Sequence, residues 1–178
     1  MDHSFSPIPR VRRFDGEVFR ITLDRHLARW SFLTLLVTGA AMGFHAHYAI
    51  GLNVTASLPY RLFLIHKGEW PDRSHYVAFH WHGGGPYAAG AIFVKQIAGI
   101  PGDVVSRVDR DFFVNGMPVG QAKPVSRQGL PLEPGPTGTL SAGEYYVCAP
   151  HPDSLDSRYQ LTGWVAQSQI IGRADVLF

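Results

Sequence analysis

The feature that most constrains this chain is a long segment without charged residues. From Trp30 to Tyr60 the sequence contains no Asp, Glu, Lys or Arg, and its first part, residues 30–50, is mostly apolar. A helix rises about 1.5 Å per residue, so about 20 residues cross the roughly 30 Å of hydrocarbon in a bilayer. Residues 30–50 meet that length. The sequence therefore predicts a transmembrane helix over this range.

Basic residues before this segment predict its orientation. Six arginines precede it and outnumber the acidic residues: Arg10, Arg12, Arg13, Arg20, Arg25 and Arg29. Because positively charged flanks stay in the cytoplasm, we expect residues 1–29 to be cytoplasmic and residues 51–178 to be exported. In a bacterium this means a single pass of the inner membrane and a periplasmic domain. The alternatives are a cleaved signal peptide, for which no clear small-x-small site follows the apolar core, and a buried helix.

Composition excludes several kinds of site. The net charge is only +2, and no basic run with interleaved aromatic residues is present, so we expect no direct contact with nucleic acid. The single cysteine, Cys148, excludes an internal disulfide framework and a cysteine-rich zinc site. The sequence therefore predicts a protein without a bound cofactor or metal.

Beyond Gly51 the pattern changes from helical to short strands. Five apolar, β-branched or aromatic runs are bounded by Gly or Pro: RLFLIHKG, HYVAFHWH, AIFVKQIAGI, DVVSRVDRDFFVNG and GEYYVCAP. Asn115-Gly116 predicts a two-residue hairpin turn, because such a turn needs positive φ and Asn and Gly adopt positive φ readily. The proline-rich run GLPLEPGPTG predicts a surface loop, since Pro cannot donate to a sheet. We therefore expect a mainly β domain over residues 51–178.

Ser57, in GLNVTASLPY, follows the apolar segment directly. A serine attacks well only if a base takes its proton, and histidine is the usual base. His75, His80 and His82 form a cluster, and the last two alternate along a predicted strand, so they share one face. No third ligand stands at a spacing typical of metal sites. We therefore interpret these histidines as partly exposed strand residues rather than as ligands.

A neutral lysine is the other candidate base, and the chain has three lysines. Lys67 and Lys123 lie in polar or proline-containing turns, whereas Lys95 lies in the apolar run AIFVKQIAGI. Burial lowers the pKa of a lysine by roughly 3–5 units, and neutrality near pH 7 requires a decrease of more than about 3. Lys95 is therefore the candidate general base. The alternative is a lysine whose side chain extends from the strand into water.

Three blocks of the sequence together resemble the signal peptidase I superfamily of membrane-anchored Ser/Lys peptidases. They are TASLP, VKQIAGIPGD and PDSLDSRYQLTG, in this order behind the apolar segment. The resemblance implies that Ser57 is the nucleophile and Lys95 the general base. It also implies four supporting residues: Thr55 at an oxyanion hole beside the Ser57 N–H, Ser154 beside the lysine, and Asp156 with Arg158 as a bracing ion pair.

Within that superfamily the chain resembles the TraF-type peptidases of conjugative transfer. Ser57 and Pro59 have the Ser-x-Pro spacing of that group, and CAPHPDSLDSRY lacks the Gly-Asp-Asn that precedes the last block in general signal peptidases. One departure is that the glycine expected after the proline region is delayed to Gly68. The resemblance implies a propilin substrate, a cyclic product and contact with other conjugation proteins. The alternatives are a general signal peptidase acting on exported preproteins and a non-enzymatic component of a transfer channel.

Overall fold

The computed structural model of the chain describes residues 16–178, with side chains from residue 24 onward. Four arginines used to predict the orientation therefore lie outside this description: Arg10, Arg12, Arg13 and the side chain of Arg20. The chain divides into two compact units, which meet in the sequence at Gly43 and Phe44. Each unit is described by itself.

The first element is a long helix, α1, Gly16–His47. Within the described residues it is the one helix long and apolar enough to cross a membrane, with a mean hydropathy of 1.3 over Asp24–His47. Its large apolar side chains are exposed all around the helix, as in Trp30 and Leu35. Such a surface suits a bilayer better than water. The helix ends before the predicted boundary at residue 50 because the following residues pair as a strand.

Eleven strands follow the helix and form two antiparallel sheets. Their bounds are β1 Tyr48–Leu52, β2 Leu62–Lys67, β3 Tyr76–His80, β4 Ile92–Gly99, β5 Val104–Val108, β6 Asp111–Val114, β7 Met117–Gln121, β8 Gly138–Thr139, β9 Glu144–Cys148, β10 Val165–Ala166 and β11 Ile170–Val176. The larger sheet has the order β1-β2-β11-β3-β4-β9-β10, and the smaller has the order β7-β6-β5-β8. The mainly β fold predicted for this part of the chain is confirmed.

Alternating apolar residues bury the inner faces of these sheets. One core cluster joins strands of both sheets, because Phe112 on β6 packs against Tyr146 on β9 with ring centroids 6.3 Å apart. A second cluster, around Phe63 and Ile65 on β2, lies in the larger sheet beneath the β1–β2 connection. The catalytic candidates described below lie in and beside the larger sheet.

Most of the predicted strands are confirmed, and two details differ. Asn115 and Gly116 have φ values of 49° and 78°, as the predicted hairpin requires. The run DVVSRVDRDFFVNG is two strands rather than one, because Asp109, with φ 52°, turns the chain between β5 and β6. The sequence did not predict the strands β1, β8, β10 and β11, of which β11 lies between β2 and β3 in the larger sheet. At its Gly172 an added Cβ would stand 1.8 Å from His66 O, so glycine is needed for this close approach.

Candidate active site

The loop between β1 and β2 presents Ser57. Its ends are joined by the Asn53 amide, which donates to Arg61 O at 2.8 Å. Ser57 is only 8% exposed, and its Oγ lies 2.9 Å from Thr55 Oγ1. The neighbouring Leu58 is buried in the core cluster around Phe63, which fixes the loop against the sheet. A short, anchored loop of this kind holds a hydroxyl in a defined position.

Lys95 stands in the middle of β4, between β3 and β9, and is 5% exposed. Its Nζ lies 5.8 Å from the centre of the Phe93 ring, which is on the same face of the strand. The pKa of Lys95 falls from its ordinary value of 10.5 to about 8, mainly because of burial; the negative charge of Asp156 opposes this decrease and the positive charge of Arg158 contributes to it. A large fraction of Lys95 is therefore neutral at mildly alkaline pH.

Lys95 Nζ donates a hydrogen bond to Ser154 Oγ at 2.8 Å, and Ser154 is 3% exposed. Ser57, Lys95 and Ser154 line one cavity of about 550 Å³, together with apolar residues of β4 such as Ile92 and Val94. Three candidates that are far apart in the sequence thus meet in one place. Among the hydrogen bonds of the described residues, none joins Lys95 Nζ to Ser57 Oγ.

Asp156 and Arg158, just after Ser154 in the sequence, form an almost fully buried ion pair, and neither side chain lines the cavity. Arg158 donates from Nε and from one terminal nitrogen to the two carboxylate oxygens of Asp156, at 2.8 Å and 2.7 Å. The same terminal nitrogen reaches three carbonyl oxygens at 3.2–3.4 Å, those of Ala149, His151 and Ser154. The pair therefore shapes the turn that carries Ser154. Removing one partner of a buried pair of this kind costs about 3–5 kcal/mol.

Sequence reasoning missed a cluster of charged residues at the rim of the cavity. Asp153, which precedes Ser154, pairs with Lys123 and accepts from Arg127 Nε at 2.7 Å. These two cations lower the pKa of Asp153 to about 2. Lys123 lies in a proline-containing loop, as the sequence predicts, and its contact with the rim depends on how that loop folds back. No signal in the sequence indicated this contact.

Sequence reasoning also missed two polar residues that support the backbone here. Ser157 is fully buried, and its Oγ accepts from the Val147 amide of β9 at 3.0 Å. Asn53 lies in the loop that carries Ser57 and lines the cavity. Both residues stand within or beside the sequence blocks described above, and that proximity was the available signal.

The histidine cluster lies apart from this cavity. His75, His80 and His82 are all exposed, and His82 stacks on Trp81 with ring centroids 4.5 Å apart. Within the described part of the chain, no group of three His, Cys, Asp or Glu residues is arranged to hold a metal ion. None of these three histidines lines the cavity that contains Ser57, whereas Lys95 does.

The buried position of Lys95 predicts a gain in stability when its amine is removed. A pKa decrease from 10.5 to about 8 corresponds to about 3 kcal/mol. Between these pH values the unfolded chain binds more protons than the folded one, so the stability of the protein rises with pH across this window. We expect Lys95→Met to raise the free energy of unfolding at pH 7 by about 2 kcal/mol, and the gain to shrink towards pH 10.5.

The measurement is denaturant unfolding of the full chain in detergent at several pH values. The matched control is Lys67→Met, because Lys67 lies outside the cavity and its Nζ donates to His45 O at 2.7 Å. The control should show no comparable gain. A Lys95→Met protein that is less stable than the unmodified chain at pH 7 would contradict the prediction.

One comparison with known proteins identifies the family of this chain. No curated protein matches the chain. A signal peptidase I from Enterococcus faecalis V583, solved at 2.27 Å resolution, is similar at 24% identity and a TM-score of 0.39, covering 62% of this chain and 98% of that one. The family model described as "Signal peptidase, peptidase S26" matches residues 24–178. Because that match covers most of the chain, the protein belongs to the signal peptidase family, peptidase S26.

Proposed function

We propose that this protein is a membrane-anchored serine peptidase in which Ser57 is the nucleophile and Lys95 the general base. The family consists of serine peptidases that act on exported proteins. The observation that best supports the residue assignment is the burial of Lys95, with a pKa of about 8, in the cavity that also contains Ser57. A buried lysine is costly, and a general base with a pKa near the working pH is a reason to retain one.

The proposed acylation begins with neutral Lys95. Its Nζ takes the proton of Ser57 Oγ while that oxygen bonds to the carbonyl carbon of the substrate. The negative charge that develops on the carbonyl oxygen is stabilised by the Ser57 N–H and the Thr55 hydroxyl. Lys95 then gives the proton to the leaving amine, the peptide bond breaks, and an ester to Ser57 remains. The hydrogen bond to Ser154 orients the amine throughout these steps.

Substitution of the two central residues tests this proposal. Ser57→Ala and Lys95→Ala should each reduce cleavage of an exported preprotein to background, and Lys95→Arg should fail too, because arginine stays protonated. In the unmodified protein the rate should rise with pH and be half-maximal near the pKa of Lys95, about 8. Cleavage is followed by gel mobility and the pH profile by initial rates.

The matched control for this experiment is Lys67→Ala, which should cleave like the unmodified protein. Membrane content of each variant is measured by immunoblot, so that loss of the protein is not counted as loss of activity. Substantial cleavage by Lys95→Ala would exclude the Ser/Lys mechanism. Normal cleavage by both Ser57→Ala and Lys95→Ala would favour the alternative, a non-enzymatic component of a transfer channel.

We further propose that residues 1–29 are cytoplasmic, residues 30–50 form the inner-membrane anchor and residues 51–178 form the periplasmic catalytic domain. The exposed apolar surface of α1 supports an anchor, and Arg25 and Arg29 stand at its N-terminal side. An exported catalytic domain is also what a peptidase of exported proteins needs.

Reporter fusions test this topology. Alkaline phosphatase fused after Phe178 should be active, since it folds only outside the cytoplasm, whereas β-galactosidase fused there should be inactive. Fusions placed after residue 29 without the anchor serve as the control and should give the opposite pattern. Cytoplasmic reporter activity after Phe178 would overturn the proposed orientation.

For the substrate, we propose a propilin of a conjugative transfer system, processed to a cyclic product. The support is the Ser57-x-Pro59 spacing and the missing Gly-Asp-Asn before PDSLDSRY. Here the N-terminal amine of the pilin attacks the Ser57 ester, Lys95 takes the amine proton and returns it to Ser57 Oγ, and an amide bond replaces the ester. A tethered amine can outcompete water because effective molarities reach roughly 10⁵–10⁸ M in well-oriented cases.

The intact mass of the mature pilin tests this second step. A cyclic pilin should weigh one water less than the linear chain and should resist N-terminal sequencing. Pilin from cells carrying the Ser57→Ala variant serves as the unprocessed control. A linear mass with a free carboxylate would instead indicate a general signal peptidase that releases its substrates by hydrolysis.

A further inference from the structure

Asn53 is the centre of the hydrogen bonds in the loop that carries Ser57. Its Oδ1 accepts from the Thr55 amide at 3.2 Å, and its Nδ2 donates to Leu58 O at 3.3 Å and Tyr60 O at 3.0 Å. Because these partners are backbone groups with fixed roles, they determine which end of the side chain is oxygen and which is nitrogen. The orientation of the Asn53 amide follows directly from them.

This orientation fixes the direction of two hydroxyl protons. Thr55 Oγ1 lies 2.9 Å from Asn53 Oδ1, and an amide oxygen only accepts, so Thr55 donates its single proton to Asn53. The second contact of Thr55, at 2.9 Å to Ser57 Oγ, must then use a lone pair of Thr55. Ser57 is therefore the donor in that contact, and Thr55 is the acceptor.

We propose that Asn53 is a positioning residue for the nucleophile and acts through the Thr55 hydroxyl. By taking the Thr55 proton, Asn53 prevents Thr55 from donating into the lone pair with which Ser57 Oγ attacks. It also holds Ser57 Oγ in its resting position, through the proton that Ser57 gives to Thr55, and this proton turns to Lys95 Nζ when acylation begins. When negative charge develops on the substrate, the Thr55 hydroxyl turns from Asn53 towards it.

The inference rests on the proposed role of Ser57, and a double-mutant cycle tests the two separately. The rate of acylation is measured in single turnovers of the full chain in detergent, with a fluorogenic peptide that has small residues one and three positions before the scissile bond. The pH is held at about 9, above the pKa of Lys95, so that the base is neutral in every variant.

In the unmodified background we expect Asn53→Ala to slow acylation by about tenfold. In the Thr55→Val background the same change should cost less than about twofold, because the hydroxyl through which Asn53 acts has been removed. In the Thr55→Ser background, where a hydroxyl is again present, the tenfold cost should return. A role confined to holding the loop predicts the same cost in all three backgrounds, and that result would overturn the inference.

A second variant covers the case in which Asn53→Ala destabilises the loop. Asn53→Asp keeps an accepting oxygen for Thr55 but loses the donors to Leu58 O and Tyr60 O. Its cost should therefore be equal in the Thr55 and Thr55→Val backgrounds. If the cost of Asn53→Asp depended on the Thr55 hydroxyl as strongly as the cost of Asn53→Ala, the effect would come from the lost hydrogen bonds to Leu58 O and Tyr60 O. That result would refute the inference.

Ser57→Ala is measured beside these variants. If it acylates as fast as the unmodified protein, the proposed function fails, and the inference about Asn53 fails with it. If Ser57 is required but the costs of Asn53→Ala and Thr55→Val are simply additive, the inference alone fails.

Discussion

The buried ion pair between Asp156 and Arg158 joins the parts of the domain on which the cavity depends. Asp156 accepts from the Ala149 amide just after β9, and Arg158 contacts the carbonyls of the turn leading to Ser154. Arg158 also reaches Gln121 O at the end of β7, in the smaller sheet. Two charges buried away from water are stable only if they pair with each other and their remaining donors and acceptors also form hydrogen bonds. This geometry therefore leaves the turn little freedom. The position of Ser154, and through it that of the Lys95 amine, follows from this constraint.

The burial of Lys95 opposes folding and also lowers the pKa of its amine. A lysine on a buried strand with Phe93 beside it is unfavourable when protonated, and the same loss of water that makes it unfavourable lowers its pKa to about 8. The cation of Arg158 lowers the Lys95 pKa in the same direction as burial, but the carboxylate of Asp156 raises it by more. The ion pair therefore shapes the site without introducing a strong net charge. With a pKa of about 8, the Lys95 amine gains and loses a proton at mildly alkaline pH.

The loop between β1 and β2, which carries Ser57, determines the direction of the hydroxyl protons of Thr55 and Ser57. The Asn53 side chain makes all of its hydrogen bonds within residues 53–60, so the loop is largely self-contained, and Leu58 attaches it to the core. Ser57 and Lys95 thus come from two separately stabilised elements that face one cavity. In the resting arrangement the Ser57 proton points to Thr55 rather than to Lys95. A small rotation of Ser57 is therefore part of the proposed reaction.

The sequence alone determined the apolar helix, the mainly β character of the rest and the candidates Ser57 and Lys95. These properties are local, because each can be read from adjacent residues. They rest on the length of the uncharged segment, the alternation along the strands, the Asn115-Gly116 turn and the apolar residues around Lys95. Tertiary structure alone decided that β11 lies inside the larger sheet and that Asp153 contacts Lys123. Those contacts join residues 30 to more than 100 positions apart. Such contacts depend on which surfaces pack together, and no short stretch of sequence carries that information.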